Sequence, residues 1–186
     1  PGIIEPGQIS NEIISLADFM PTIASAAGVP DLKEQLLTGY TAGDKTFNVH
    51  LDGYDFMPYF RGDVETGPRR EFFYFSDTGD LLNLRYDDWK IVFAEQRAEG
   101  FDVWEEPFVF LRLPKIFNLR MDPFERADRE SIYYSDWRLR RTYLLVPAQA
   151  IVGEFLSTFQ DFPPRQTPAS FSIDQVMEAM QQAGSQ

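Results

Sequence analysis

The feature that most constrains the fold of this chain is a series of short apolar runs in its middle part. The runs are rich in aromatic and β-branched residues, and they cover Glu71–Ser76, Leu81–Tyr86, Trp89–Ala94 and Ile116–Met121. Turns that contain Asp or Gly separate the first three runs, and an Asp-Pro turn follows the fourth. Such runs are typical of antiparallel strands joined by short connections. The sequence therefore predicts a four-stranded β-meander.

Alternation along the third run predicts which side of that sheet is buried. We expect Trp89, Ile91 and Phe93 to face the core, because they alternate with less apolar residues at the strand period. On the other, less demanding face, we expect Lys90 to point into solvent, as most strand lysines do. The aromatic-rich stretch 97–114 is long enough to form a folded excursion between the third and fourth strands.

Helical spacing of apolar residues returns after the sheet. Over residues 131–159 it predicts two helices that are separated at Pro147 and cover one face of the sheet. A Pro-rich strap follows, and Ser172 with Gln175 has the pattern of a capping box for a last short helix. The meander and these packed helices together predict an α+β fold.

The first part of the chain is predicted to hold one helix and several turns. Two Pro-Gly pairs at its start indicate an edge strand or a loop. We expect a helix over about 19–27, with Asp18 as its N-cap and Gly28 just beyond its end. Residues 32–48 read as a surface connection, and a short helix is expected to end at Gly62.

Composition excludes several classes of function. The chain has 29 acidic and 17 basic residues, and its net charge of -12 repels nucleic acid and anionic lipid. It has no Cys, which excludes disulfides, thiolate nucleophiles and zinc-thiolate sites. No apolar run approaches the roughly 18 residues that a membrane span needs. Of the 17 basic residues 13 are Arg, whose planar forks suit partly buried ion pairs.

His50 is the single histidine, so any acid-base role of an imidazole falls on it alone. Asp52 and Asp55 are near enough in sequence to orient this ring or to share a cation with it. A structural or surface position is the commoner alternative for an isolated histidine. The residues alone therefore leave both a functional and a structural role open for His50.

The remaining acidic clusters predict turns and loops instead of chemistry. Asp77 to Asp80 is too short for an EF-hand loop and suits a hairpin turn. Glu105 and Glu106 have no partner carboxylate that the sequence fixes at a distance suitable for a glycosidase. We therefore predict no catalytic residue and no metal ligand in this chain.

Several motifs, taken in order, resemble those of a known family. They are Pro1-Gly2 with Pro6-Gly7, Asp18-x-x-Pro21-Thr22, His50-Leu-Asp-Gly-Tyr54 with Pro58 and Gly62, and Phe117-Asn-Leu-Arg-x-Asp122-Pro123-x-Glu125. Their order and spacing resemble the C-terminal part of a type I sulfatase of the arylsulfatase group, within the alkaline-phosphatase-like superfamily. The resemblance implies that residues 1–47 are the last strand and helix of the catalytic α/β domain, with a connection. It implies that residues 48–186 are the C-terminal antiparallel-sheet domain with a helical tail.

The same resemblance implies where the chemistry lies. Sulfatases of this type use a calcium ion and a formylglycine made from Cys or Ser in a Cys/Ser-x-Pro-x-Arg motif. This chain has no Cys, and no Ser is followed two places on by Pro. We therefore expect calcium and formylglycine only in a missing N-terminal catalytic domain. The chain is then a C-terminal arylsulfatase fragment with a structural, cleft-lining role, inactive alone, with His50 at the cleft rim.

Two further expectations concern partners. Apolar side chains such as Ile14, Leu16 and Ile23 would lack cover without the catalytic domain, so a homo-oligomer is one expected outcome. The alternative function is a non-catalytic binding module, in which an aromatic surface around Trp104 and Tyr133-Tyr134 holds a carbohydrate or protein partner. The substrate and the compartment stay open, since bacterial cytoplasm and periplasm both agree with the resemblance.

Overall fold

The computed structural model describes residues 2–164, so the predicted helix near Ser172 and the second half of the Pro-rich strap lie outside the described residues. The helices are α1 (Phe19–Ala26), α2 (Leu32–Thr38), α3 (Met57–Arg61), α4 (Ala127–Glu130), α5 (Tyr134–Leu139) and α6 (Leu145–Asp161). The strands are β1 (Tyr40–Ala42), β2 (Lys45–Phe47), β3 (Glu71–Phe75), β4 (Leu81–Tyr86), β5 (Trp89–Glu95) and β6 (Val109–Asn118). Short 3₁₀ helices cover Leu16–Asp18, Gly100–Trp104 and Thr142–Leu144. Over residues 2–164 no helix has the length and apolar character to cross a bilayer.

The centre of the fold is an antiparallel sheet with the strand order β3-β4-β5-β6, which confirms the predicted meander. Strand β6 differs from its prediction, because it begins at Val109 instead of Ile116 and ends at Asn118. Pro114 lies where the register between β5 and β6 shifts. An edge strand accommodates Pro at such an irregularity. The excursion before β6 is correspondingly shorter than predicted.

Helix α6 covers one face of the sheet. The buried residues between them are Leu84, Ile91 and Ala148. Phe73 of β3 stacks on Phe155 of α6 with ring centroids 4.0 Å apart. Pro147 does not separate two helices as predicted but lies in the first turn of α6, where its missing N–H would lack an intrahelical acceptor anyway. The separation comes earlier, at the 3₁₀ helix Thr142–Leu144.

The opposite face is also covered, so the prediction that it is less demanding is wrong. Val92, Phe117 and Tyr134 form a second buried cluster there. The Tyr134 hydroxyl donates to the Ile116 carbonyl at 3.0 Å and accepts from the Ile116 N–H at 3.1 Å. Because β6 lies at the edge of the sheet, this hydroxyl takes the place of a paired strand at Ile116.

Ion pairs complete this second face and correct the expectation for Lys90. Its side chain is 15% exposed, and Nζ lies 2.7 and 2.8 Å from the two carboxylate oxygens of Glu125. On the neighbouring strand, Lys115 pairs with Glu95 and with Asp128. Burial disfavours the charge of Lys115, but the two carboxylates outweigh burial and raise its pKa.

The first part of the chain holds more local structure than predicted. Gly28 follows α1 with φ at +95°, and α3 ends at Gly62, as expected. Residues 2–15 form turns and no strand, since an extended segment needs a neighbouring strand and the described chain supplies none there. Residues 32–48, expected as a plain connection, contain α2 and the β1-β2 hairpin. The helix of the predicted strand-helix piece is thus present.

Candidate functional site

A buried ion pair joins the first part of the chain to the sheet. Asp18 is fully buried and accepts two hydrogen bonds from Arg69, at 2.8 Å from Nε to Oδ2 and at 2.6 Å from Nη2 to Oδ1. The backbone N–H groups of Ser15 and Tyr54 donate to the same carboxylate at 2.7 and 2.8 Å. Burial alone would raise the pKa of Asp18, but these hydrogen bonds outweigh it and hold the pKa below its ordinary value.

This geometry changes the role predicted for Asp18. Its side chain makes no capping bond to α1, and turns back to close a capping box with Ser15 on the preceding 3₁₀ helix. The guanidinium fork of Arg69 offers the carboxylate two charge-assisted donors, which a helix start cannot match. Asp18 is therefore a structural anchor between the segment 2–30 and the residues that precede β3.

The turn at Asp52-Gly53 lies directly against the segment that leads into α1. Arg69 Nη2 donates to the Asp52 carbonyl at 2.9 Å, and Lys33 Nζ donates to the Gly53 carbonyl at 3.2 Å. A Cβ atom at Gly53 would lie 2.1 Å from the Ala17 carbonyl oxygen, so the close approach requires glycine. The turn is thereby held in one position relative to the ion pair.

Tyr54 continues this network towards the sheet. Its hydroxyl donates to Glu71 Oε1 at 2.5 Å, while Lys33 Nζ and the Arg69 guanidinium each lie 4.8 Å from its ring centroid. Burial and the Glu71 carboxylate raise the pKa of Tyr54 well above its ordinary value. The phenol therefore keeps its proton at neutral pH and serves as a hydrogen-bond donor instead of a base.

His50 lies where two cavities meet. One cavity of about 420 Å³ is bordered by β3 and α6, and another of about 660 Å³ is bordered by the end of α6. His50, Asp52 and Thr158 line both of them. The His50 side chain is 24% exposed, and its ring centroid lies 5.8 Å from that of Phe162. The residue singled out from the sequence is thus at a concave surface and still reaches solvent.

The neighbours of His50 fix what its ring can do. Nδ1 lies 3.1 Å from Asp52 Oδ1, so this nitrogen carries the proton and Nε2 is left for an external group. Among residues 2–164, Nε2 has no hydrogen-bond partner. Asp55, the other predicted neighbour, accepts instead from the Met57 N–H at 2.8 Å, at the start of α3. The arrangement suits hydrogen bonding or proton transfer to a ligand in the cavities.

The described residues do not gather ligands for a hard cation. In residues 2–164 no three His, Asp or Glu side chains lie close enough together to hold a metal ion. Asp80 belongs to the predicted hairpin turn, since its carbonyl accepts from the Ser76 N–H at 2.9 Å. The sequence also has no Cys and no Ser followed two places on by Pro, the motif from which formylglycine is made. The residues present therefore do not fit calcium or formylglycine.

The aromatic residues of the alternative function, a binding module, do not form one exposed surface. Trp104 and Tyr133 are 80% and 74% exposed, whereas Tyr134 is only 7% exposed and bonds to Ile116. Tyr134 is therefore a core residue, and a single surface that presents all three rings does not exist.

Four residues of the His50 region were not identified from the sequence: Lys33, Tyr54, Arg69 and Glu71. They come from separate segments, and Arg69 is 51 positions from its partner Asp18. No short motif connects positions so far apart. The only signal was the excess of Arg, which predicts buried planar ion pairs without saying which Arg forms one.

Comparisons with known proteins agree with the sequence motifs. No family model matches the chain. Arylsulfatase A of Homo sapiens is 27% identical over 136 residues, which are 67% of this chain and 24% of that protein. The crystal structure of PsFucS1 sulfatase from Pseudoalteromonas sp. has a TM-score of 0.57 and 22% identity, covering 89% of this chain and 30% of that chain. The chain thus spans about a quarter of its curated relative. The predicted resemblance to part of a sulfatase and the predicted fold are confirmed.

Proposed function

We propose that this chain, which resembles part of a sulfatase, is the C-terminal, cleft-lining part of a sulfuric ester hydrolase of arylsulfatase type. The observation that carries the proposal is the His50-Asp52 pair at the junction of two cavities. In this role His50 lies at the rim of the substrate cleft. When the ring carries a proton on both nitrogens, Nε2–H donates a charge-assisted hydrogen bond to an oxygen of the sulfate group.

The exposed apolar side chains of the first segment favour a large partner that covers this segment. Residues 1–47 belong in this proposal to the catalytic α/β domain, and residues 48–186 form the C-terminal domain. Side chains more than half exposed are Ile3 58%, Ile9 90%, Leu16 86%, Phe19 51%, Met20 55% and Ile23 62%. Several large apolar groups in one short segment mark an interaction surface. We assign it to the remainder of the catalytic domain, and a homo-oligomer is the expected substitute when that domain is absent.

The chain is catalytically incomplete on its own in this proposal. Cleavage of a sulfate ester needs an activated nucleophile and cations that hold the developing charge on the sulfuryl oxygens. Around the cavities, Arg69 is already bound to Asp18, and Tyr54 keeps its proton. Among the described residues, His50 therefore has beside it neither an activated nucleophile nor the free cations that this cleavage needs. The nucleophile and the metal therefore belong to the catalytic domain.

The test compares the chain alone with the chain joined to its upstream coding sequence. The purified 186-residue chain is assayed with 4-nitrophenyl sulfate, with and without calcium, and we expect no turnover. A longer protein that includes an upstream Cys/Ser-x-Pro-x-Arg motif is expected to turn the ester over. In that protein, His50→Ala, which leaves no donor at this position, should lower kcat/KM by roughly 10- to 100-fold, the loss of one hydrogen bond to a charged group. Asp80→Asn, at a hairpin turn, is the control and should leave the rate unchanged.

Two results would contradict the proposal. Turnover by the 186-residue chain alone, proportional to its concentration and lost in His50→Ala, would show a complete enzyme. An unchanged kcat/KM in His50→Ala of the longer, active protein would remove His50 from the cleft rim.

A further inference from the structure

We infer that the loop between β5 and β6 is a docking surface for a basic segment of a protein partner. Phe101 and Trp104 on this loop are 74% and 80% exposed. They are three residues apart in the 3₁₀ helix Gly100–Trp104, and side chains at that spacing eclipse one another. The two rings therefore lie on the same side of the loop. Phe110, at the start of β6, is a further large apolar side chain at 61% exposure.

The loop is held in shape although its aromatic rings are exposed. Gln96 Nε2 donates to the Glu106 carbonyl at 2.7 Å and to the Val103 carbonyl at 3.4 Å, and Gln96 Oε1 accepts from the Ala98 N–H at 2.8 Å. The N–H of Glu106 also donates to the Asp102 carbonyl at 2.8 Å. One glutamine thus ties the two ends of the loop together. A partner that binds the rings would lose little free energy in ordering the loop, because it is already ordered.

The charge around the rings is of one sign. The stretch between Arg97 and Arg112 contains no Lys or Arg. Its acidic residues are Glu99, Asp102, Glu105 and Glu106. Among the described residues none of these carboxylates has an ion-pair partner, and the nearest cation in sequence, Arg97, is bound to Glu95 at 2.9 Å. Along the loop the exposed rings therefore alternate with carboxylates that no ion pair of the described residues neutralises.

This charge selects among the occupants that an exposed aromatic surface attracts. A second copy of the chain that paired through this loop would bring the same four carboxylates face to face, so association at the loop is disfavoured. A sulfated or otherwise anionic sugar is repelled for the same reason. An uncharged sugar would stack on Trp104 but leave the carboxylate charge uncompensated. An Arg-rich segment both neutralises the carboxylates and stacks its guanidinium groups on the ring of Trp104. The inference uses no residue of the His50 region, and it stands or falls independently of the proposed sulfatase role.

The test is a calorimetric titration of the 186-residue chain with a short Arg-Gly repeat peptide at low salt. We expect one saturable site whose affinity falls as salt is added. Trp104→Ala should weaken binding at least about fivefold, and the double change Glu105→Gln and Glu106→Gln should do the same. Tyr133→Ala, which removes an equally exposed ring outside the loop, should bind like the unchanged chain. All these side chains are exposed, so circular dichroism should show unchanged folding.

The remaining outcomes would overturn the inference. Equal affinities of Trp104→Ala and Tyr133→Ala would mean general attraction of the peptide to an acidic protein. No saturable binding of the peptide would show that the loop is not a docking surface for basic segments. Binding of maltohexaose or heparin that depends on Trp104 would identify a carbohydrate site. Dimerisation in sedimentation velocity that is lost in Trp104→Ala would identify a second copy as the occupant.

Discussion

Replacing Asp18 by Asn tests the anchor between the first segment and the sheet while keeping the size of the side chain. Each oxygen of Asp18 accepts one bond from Arg69 and one from a backbone N–H, of Ser15 on Oδ2 and of Tyr54 on Oδ1. An amide NH₂ in place of either oxygen removes the acceptor of two hydrogen bonds and faces their two donors. The substitution also leaves the Arg69 charge unpaired at 6% exposure.

These contacts set the size of the expected effect. A buried donor left without an acceptor costs about 1–3 kcal/mol, so two of them cost about 2–6 kcal/mol. Removing one partner of a buried ion pair costs about 3–5 kcal/mol. These are two descriptions of one loss and are not added. Both agree with a decrease of about 4 kcal/mol in the free energy of unfolding, a large part of the roughly 5–15 kcal/mol of a typical domain.

Urea unfolding followed by far-UV circular dichroism measures this loss. With an m-value of about 2 kcal/mol/M, a loss of about 4 kcal/mol lowers the midpoint by about 2 M urea. The matched control is Asp87→Asn, which breaks an Arg-Asp pair whose side chains are 59% and 41% exposed. Solvent screens that pair, so we expect a much smaller shift. A midpoint for Asp18→Asn as high as that of Asp87→Asn would refute the reasoning.

A double substitution gives a second check on the same pair. Arg69→Met removes the charge that Asp18→Asn leaves unpaired, so the combined loss should be smaller than the sum of the two single losses. Strictly additive losses would show that the two side chains do not stabilise one another.

The pH dependence of stability follows from the same carboxylate. The pKa of Asp18 in the folded chain lies below its ordinary value of 3.8, so its contribution is fully present above about pH 4. The contribution is lost as the pH falls through the folded pKa, because the carboxylate then takes up a proton. We expect the unchanged chain to lose stability below about pH 4 more steeply than Asp18→Asn does.

Two further substitutions test the close approach at Gly53, which fixes the turn beside the site, and the Tyr134 hydroxyl, which binds the edge of the sheet. Gly53→Ala should lower the free energy of unfolding by at least about 2 kcal/mol, because its Cβ would lie 2.1 Å from a carbonyl oxygen. Gly153→Ala, with open space in an exposed part of α6, should instead raise it by up to about 1 kcal/mol, and melting curves of the two that coincide would contradict the close approach. Tyr134→Phe should cost about 1–3 kcal/mol in urea unfolding and speed hydrogen exchange at the Ile116 amide, whereas Tyr133→Phe should do neither. Unchanged exchange at Ile116 in Tyr134→Phe would show that the hydroxyl does not protect this amide.

The predictable part of the fold was the part whose signal is local. The first three sheet strands follow from residues that alternate within a few positions, and the turns between them contain the Asp and Gly that such turns favour. Pro147 was misleading, because it was taken as a break between two helices although Pro is tolerated in a first helical turn. The early part of β6 was missed because it pairs with β5 beyond an irregularity at the edge of the sheet.

Of the residues in the candidate site, only His50 could be predicted from the sequence. His50 stands out because no other imidazole is present, and the structure places it at a concave surface. Its supporting network joins Asp18 to Arg69 and Tyr54 to Glu71, across 51 and 17 positions. Pairing over such separations depends on how distant segments pack together. No short pattern in a single sequence encodes that packing.

The Tyr134 hydroxyl on the Ile116 backbone decides where this sheet can grow. A strand that added beside β6 would have to displace that ring and break its stacking on Phe117. Within the described residues no strand pairs with the outer edge of β3, where Arg69 Nη1 donates to the Glu71 carbonyl at 3.1 Å. Strand-swapped assembly or fibril-like stacking of this chain is therefore directed to the β3 edge of its sheet, beyond Glu71, whose carbonyl Arg69 already occupies.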